Sequence, residues 1–154
     1  MLNSTLVHIE KDGKYLMLHR IKKENDVNHD KWVGIGGKFE ENESPEECAL
    51  RETLEETGLA LKRLRYCGIV TFVSDKLETE YMHIFHSDSF EGNLKECDEG
   101  ELKWIPIKDI YSLPIWQGDK IFLKLIEKRT DFFSLKLQYI GDSLITAILN
   151  GEKL

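Results

Sequence analysis

The chain has 154 residues, of which 41% are hydrophobic and 32% charged, and its formal net charge is −7. That length suits one domain, residues 1–154, able to bury a core without disulfide or metal staples. The acidic balance argues against nucleic acid polymers and anionic membranes as partners, and no apolar run approaches the ~20 residues that cross a bilayer.

In chain order, Thr5–Ile9 and Tyr15–Leu18 flank Lys11-Asp12-Gly13, which predicts a β-hairpin with an Asp-Gly turn. Residues 20–31 are polar and read as a loop, and Trp32–Phe39 carries Gly34, Gly36 and Gly37. Ser44–Thr57 predicts a helix; Leu64–Val73 and Tyr81–His86 predict paired strands, followed by a short strand at Leu102–Ile107. Asp119–Lys128 places Ile121, Phe122, Leu125 and Ile126 at helical spacing, and Phe132–Tyr139 and Ser143–Leu149 bracket Gly141-Asp142 as a closing hairpin. Several strands with two helices give a mixed α/β (α+β) domain.

The charge is local. Residues 40–56 hold eight Glu and one Arg, so this segment carries the whole excess of −7. Its helix is well signalled: Ser44 as N-cap, Pro45 at the first position, Glu47 closing a capping box, Gly58 as C-terminal cap. Glu46 and Glu47 also suit the positive end of the helix dipole.

Capping does not explain Glu52, Glu55 and Glu56, which share one face at i, i+3 and i+4. Helical spacing puts Leu50 and Leu54 on the opposite side, so the expectation is a helix with both leucines in the core and three carboxylates projecting together. Arg51 is one cation against three anions, and a divalent cation is the simple compensation. Magnesium suits carboxylate oxygens, water and substrate phosphates. A solvated charged face is the plain alternative.

Three cysteines, Cys48, Cys67 and Cys97, form no CxxC pair, so a zinc knuckle is not expected and free thiols point to the cytoplasm. Met1-Leu2-Asn3-Ser4-Thr5 lacks a basic region followed by an apolar run, so no signal peptide is expected. The five histidines make no metal-binding pair and are read as structural. The glycines fit neither a P-loop nor a dinucleotide fingerprint, because Phe39 stands where each pattern requires another residue.

From Gly37 to Leu59 the chain reads G-K-F-E-E-N-E-S-P-E-E-C-A-L-R-E-T-L-E-E-T-G-L. This resembles the Nudix box, GX5EX7REUXEEXGU, with all its fixed letters in place: Gly37, Glu43, Arg51, Glu52, Glu55, Glu56 and Gly58. At about 0.07 per position, such a match at one register has odds on the order of 10⁻⁸. Thr53 is the departure, standing in the first bulky aliphatic position.

The resemblance implies an α/β/α sandwich around a mixed sheet and hydrolysis of a nucleoside diphosphate derivative with magnesium, or with manganese as an alternative. It implies that Glu52, Glu55 and Glu56 hold metal, that Arg51 orients a carboxylate, that Glu43 supports the loop or the metals, that the Gly37 carbonyl joins the metal shell, and that Gly36 and Lys38 lie near the phosphates. Elsewhere, Lys31–Lys38, Asp98-Glu99 ahead of Trp104, and Ile115–Asp119 resemble the MutT-type oxidised-purine hydrolases. That likeness makes Trp116 and Asp119 base contacts and Glu99 a further metal carboxylate. From position alone, Asp119 also suits a helix N-cap, and Trp32 either core or base neighbour. Val33 and Gly118 depart from that pattern, which loosens the expected preference for oxidised guanine.

The expected activity is cleavage of a (d)NTP, such as 8-oxo-dGTP, to monophosphate and pyrophosphate by a monomer or homodimer acting on a small nucleotide. Hydrolysis of ADP-ribose or a dinucleoside polyphosphate is the alternative, and a non-catalytic binding module the more distant one.

Overall fold

The two hydrophobic faces of one mixed sheet organise the chain, and the computed structural model describes all residues, 1–154. The strands are β1 (Leu2–Lys11), β2 (Lys14–His19), β3 (Trp32–Val33), β4 (Ile35–Lys38), β5 (Ala60–Leu61), β6 (Arg65–Ser74), β7 (Glu80–Ser87), β8 (Phe90–Glu91), β9 (Glu101–Pro106), β10 (Phe133–Ile140), β11 (Ser143–Leu149) and β12 (Glu152–Lys153). The helices are α1 (Pro45–Thr57), the one-turn α2 (Ile107–Ile110) and α3 (Asp119–Glu127). No helix is long and apolar enough to cross a membrane.

β1 is central. It runs parallel to β7, antiparallel to β4, and at its far end turns into β2. The turn holds Asp12 at φ 52° and Gly13 at φ 73°, as an Asp-Gly hairpin requires. The two hairpin strands share only the pairs Glu10–Tyr15 and Lys11–Lys14, because β1 peels away to join β7 while β2 pairs along its whole length with β9.

Alternation along β1 then feeds two cores. Val7 and Ile9 join Leu16, Leu18, Ile35, Ala49, Leu59 and Phe85 in a cluster of ten buried residues under α1. Leu6 packs with the other cluster of sixteen, which includes Val70, Ile84, Phe133, Leu135 and α3's Phe122, Leu123 and Ile126. The result is the expected sandwich, with α1 and α3 on opposite faces. α2 follows Pro106 and escaped sequence reading, since four residues are too few for a helical period.

α1 starts as the sequence implies. Glu47 N–H donates to Ser44 Oγ at 3.1 Å, and Ser44 N–H donates to Glu47 Oε1 at 2.9 Å. It ends on Gly58 at φ 81°, whose N–H donates to the Leu54 carbonyl. Its orientation differs from expectation. Leu50 and Leu54 are 41% and 51% exposed, and the buried face is Cys48, Ala49, Thr53 and Thr57. Small side chains let the helix axis lie close against β1 and β4, where leucines would hold it off. Thr57 satisfies its own hydroxyl by donating to the Thr53 carbonyl at 2.6 Å. Thr53, at the motif's aliphatic position, is fully buried.

The histidines sit in structural settings. His8 is buried edge-on to Tyr15 and Phe122, His86 pairs with Glu10, and His83 contacts Tyr66 and Asn3. Cys48 is fully buried, with Sγ against Thr5 Oγ1 and the Gly37 carbonyl.

Candidate active site

Inversion of α1 turns its carboxylates toward the glycine strand β4. Glu52 is 17% exposed at the side chain, and its carboxyl lies directly over Gly37, where a Cβ would come within 2.4 Å of Glu52 Cδ. Glu56 reaches the next strand position, accepting the Gly36 N–H at 3.1 Å. Glu55 does not share this inward face; its side chain is 58% exposed on the flank.

Glu99, delivered by the loop before β9, meets Glu56 from the other side. Burial, then hydrogen bonding to Glu99 and repulsion from Glu99 and Glu52, push the Glu56 carboxyl well above the usual carboxylate range, offset only in part by Gly36. Three carboxyls therefore crowd one spot with too little cationic charge among them. This donor set, hard carboxylate oxygens from two elements, fits a divalent cation.

Arg51 pairs with Glu52 but reaches neither Glu56 nor Glu99, because the rest of its guanidinium is spent on the loop. It forms two bonds to Glu43, Nε to Oε2 at 2.6 Å and Nη2 to Oε1 at 2.9 Å, and donates to Glu52 at 2.8 Å, Glu55 at 3.2 Å and the Lys38 carbonyl at 3.1 Å. Glu43 also caps the Glu40 N–H at 2.8 Å, and its hydrogen bond to Arg51 holds its carboxyl down at about 2. Such a bidentate pair fixes direction as well as distance. Of the two roles expected for Glu43, support of the loop or of the metals, its contacts are those of the loop.

Two further site residues lie in the segment read only as a polar loop. Arg20 donates to Asp26 at 2.6 Å and to Glu99 at 3.0 Å. Asn28 accepts from Trp116 Nε1 at 2.7 Å. Neither residue has a local signal for the site, because the partners that bring them into it, Glu99 and Trp116, come from distant parts of the chain.

A cleft of about 780 Å³ runs from the carboxylates, past Gly36, Gly37 and Lys38, to Trp116 and Asp119, with Val33, Phe72 and Met82 in its wall. Trp116 is 7% exposed, packed edge-on to Phe72 and Tyr139, with the Lys31 ammonium 4.5 Å from its ring. Trp32 is partly core and stacks on His19 with ring centroids 4.4 Å apart. Asp119 is not the N-cap of α3. Gly118 occupies that position, and Asp119 opens the helix with no capping bond from its side chain. Burial pushes its carboxyl up to about 8, offset partly by Lys31. At Gly118 a Cβ would lie 2.4 Å from Leu137 and 2.6 Å from the Tyr139 hydroxyl, so a side chain there requires both neighbours to shift.

The two strand glycines test this geometry differently. A Cβ at Gly36 would sit 1.8 Å from the Thr5 backbone oxygen, which cannot yield without opening the β1–β4 ladder. Gly36→Ala is therefore expected to cost about 1–3 kcal/mol or more, read as a lowered Tm. At Gly37 the obstacle is the movable end of Glu52. Gly37→Ala is expected to leave Tm nearly unchanged while weakening metal affinity roughly 10–100-fold, by calorimetric titration. Equal loss of Tm in both variants would contradict the assignment.

A sheet held between two helices, with a carboxylate-bearing helix laid over a glycine strand beside a nucleotide-sized cleft, defines a class of phosphoanhydride hydrolases. The NUDIX domain family model matches residues 3–126, and the chain belongs to the Nudix hydrolase family. It is 35% identical over 130 residues to the oxidized purine nucleoside triphosphate hydrolase of Danio rerio, covering 83% of this chain and 81% of that protein. Over 125 residues it is 34% identical to the Nudix hydrolase YvcI of Bacillus subtilis, covering 78% of this chain and 75% of that one. Among solved structures, a mutator MutT protein from Bacillus halodurans superposes with a TM-score of 0.86 at 26% identity, covering 99% of both chains. The protein is thus an enzyme acting on a phosphoanhydride bond of a small nucleotide, in a family that generally uses divalent metal ions.

Proposed function

We propose that this protein is a magnesium-dependent nucleoside triphosphate pyrophosphohydrolase that releases a monophosphate and pyrophosphate, with purine (d)NTPs, including oxidised ones such as 8-oxo-dGTP, as its substrates. The observation that carries this reading is one continuous cleft joining the crowded carboxylates to Trp116 and Asp119. The relatives named for oxidised purine triphosphates support the substrate class.

In this reading Glu52, Glu56 and Glu99 are the principal metal carboxylates, with Glu55 on the flank and the Gly37 carbonyl completing the shell; manganese fits the same oxygens. When bound, the metal supplies a Lewis acid for the phosphoryl oxygens and a water of lowered pKa. Arg51 and Glu43 hold the loop and aim Glu52. Gly36 and Gly37 let the phosphates approach the backbone, and Lys38 at the mouth adds a positive charge for them. Asp119, uncharged near neutrality, presents a hydroxyl donor and a carbonyl acceptor to a purine edge, while Trp116 forms the wall beside it.

The test is an assay of (d)NTPs, 8-oxo-dGTP, ADP-ribose and dinucleoside polyphosphates with magnesium. The expected result is the highest kcat/KM on a purine triphosphate, with pyrophosphate as product. Preference for ADP-ribose or a dinucleoside polyphosphate would overturn the substrate assignment.

A further inference from the structure

Glu56 and Glu99 share their corner of the site with a sulfur. A carboxylate oxygen from each and Cys97 Sγ all lie within 4.8 Å of one another. Cys97 is 4% exposed and held in place through its backbone, by an antiparallel bridge to Gly100 and by Lys22 Nζ donating to its carbonyl at 2.7 Å. The other two thiols are engaged elsewhere: Cys48 against Thr5 and the Gly37 carbonyl, Cys67 on the Arg65 carbonyl. Of the three, Cys97 is the one whose sulfur groups with the Glu56 and Glu99 carboxylates.

This mixed set discriminates between metals. Magnesium takes oxygen ligands in near-octahedral geometry and has little use for a thiolate. Zinc, cobalt and cadmium accept sulfur and carboxylate together, and zinc does so tetrahedrally. We propose that Cys97, Glu56 and Glu99 form a site for a thiophilic divalent cation that overlaps the magnesium carboxylates, so that zinc inhibits the hydrolysis that magnesium supports. The inference rests on Glu56 and Glu99 serving as metal ligands in the proposed function. A cation that draws Glu56 and Glu99 into a tetrahedral shell with Cys97 takes both carboxylates out of the arrangement magnesium needs, and binding exchanges the thiol proton for the metal, with the proton released to solvent.

The direct test is titration of the metal-free full chain with cobalt(II). Thiolate ligation gives an intense near-ultraviolet sulfur-to-cobalt charge-transfer band; carboxylates alone give only weak visible bands. The band is expected in the unmodified chain and in Cys48→Ser, and absent from Cys97→Ser. Zinc-edge X-ray absorption of the unmodified chain provides a reading that does not depend on any variant folding, with a sulfur neighbour expected at ~2.3 Å. In magnesium assays Cys97→Ser is expected to raise the zinc concentration for half-inhibition about 10-fold or more. No band in the unmodified chain, an oxygen-only zinc shell, or a band that survives in Cys97→Ser overturns the site. Unchanged zinc sensitivity in Cys97→Ser overturns the competition. Failure of the magnesium reading shows separately, as hydrolysis that magnesium does not stimulate in a chain that still gives the cobalt band.

Discussion

Glu56→Gln is expected to reduce kcat by roughly 10²–10⁴-fold with magnesium while the protein stays folded. Glutamine keeps the oxygen that accepts the Gly36 N–H, and its amide can donate toward Glu99, so no buried polar group is orphaned. The substitution removes a charge that the fold resists. Because the Glu56 carboxyl titrates above its unfolded value, the folded metal-free protein binds the proton more tightly, and stability falls as pH rises above the ordinary carboxylate range. The glutamine variant does not titrate, so in chelator its Tm should equal or exceed that of the unmodified protein, increasingly so toward high pH. Added magnesium should raise the Tm of the unmodified protein and raise that of the variant much less. Unchanged turnover in the variant, or turnover by the unmodified enzyme in excess chelator, would sink the metal mechanism.

Asp119→Asn carries the second large effect, and its signature is pH. The carboxyl sits at about 8 in the fold against 3.8 as its ordinary value. Below the lower value both folded and unfolded chains hold the proton and there is no penalty. Between the two values only the folded chain holds it, so stability declines as pH rises, and above about 8 the full cost is present. Water in the cleft tempers that cost to a few kcal/mol at most. The Asn variant should therefore be more stable than the unmodified protein at pH 9, with the advantage shrinking toward pH 4. Melting curves that stay parallel across pH would contradict the burial argument.

The same group should govern base selection. A protonated carboxyl offers one donor and one acceptor, whereas an amide offers two donors and one acceptor. The variant is expected to lose purine triphosphates selectively, by about 10-fold in kcat/KM. In the unmodified enzyme, purine KM should rise as pH passes 8, and in the variant that rise should disappear. An equal loss for purines and pyrimidines would assign Asp119 a purely structural role.

Stability and activity thus pull against each other at both positions. Glu56 and Asp119 are the two carboxyls pushed furthest above their ordinary range, and they lie toward opposite ends of the proposed site. A fold that places unpaired carboxyls in partly buried positions gives up stability for chemistry.

Local rules made much of this molecule legible in one dimension. The Asp12-Gly13 turn, the capping box of Ser44 and Glu47, the Gly58 cap and the hairpin around Gly141 depend on residues a few positions apart, so their physics is complete within a short window. Spacing alone assembled Arg51, Glu52, Glu55 and Glu56 on one helix next to a glycine segment, and with it the family and the chemistry. The location of the acidic excess was also plain, since counting charge needs no fold.

What remained was decided by which face of α1 meets the sheet. Helical periodicity separates two faces but does not say which is inside. Hydrophobicity favoured Leu50 and Leu54, whereas close approach to β1 and β4 selected Cys48, Ala49, Thr53 and Thr57 instead. That choice turned Glu52 and Glu56 inward and left Glu55 outside. The partners that finish the site, Glu99 with Arg20, Cys97 beside Glu56, and Asn28 on Trp116, come from segments far apart in the chain. Sequence determined the type of chemistry because that is a property of side chains at short spacing. Only tertiary structure decided how many carboxylates face one another and what sulfur stands beside them, because those depend on how distant backbone segments pack.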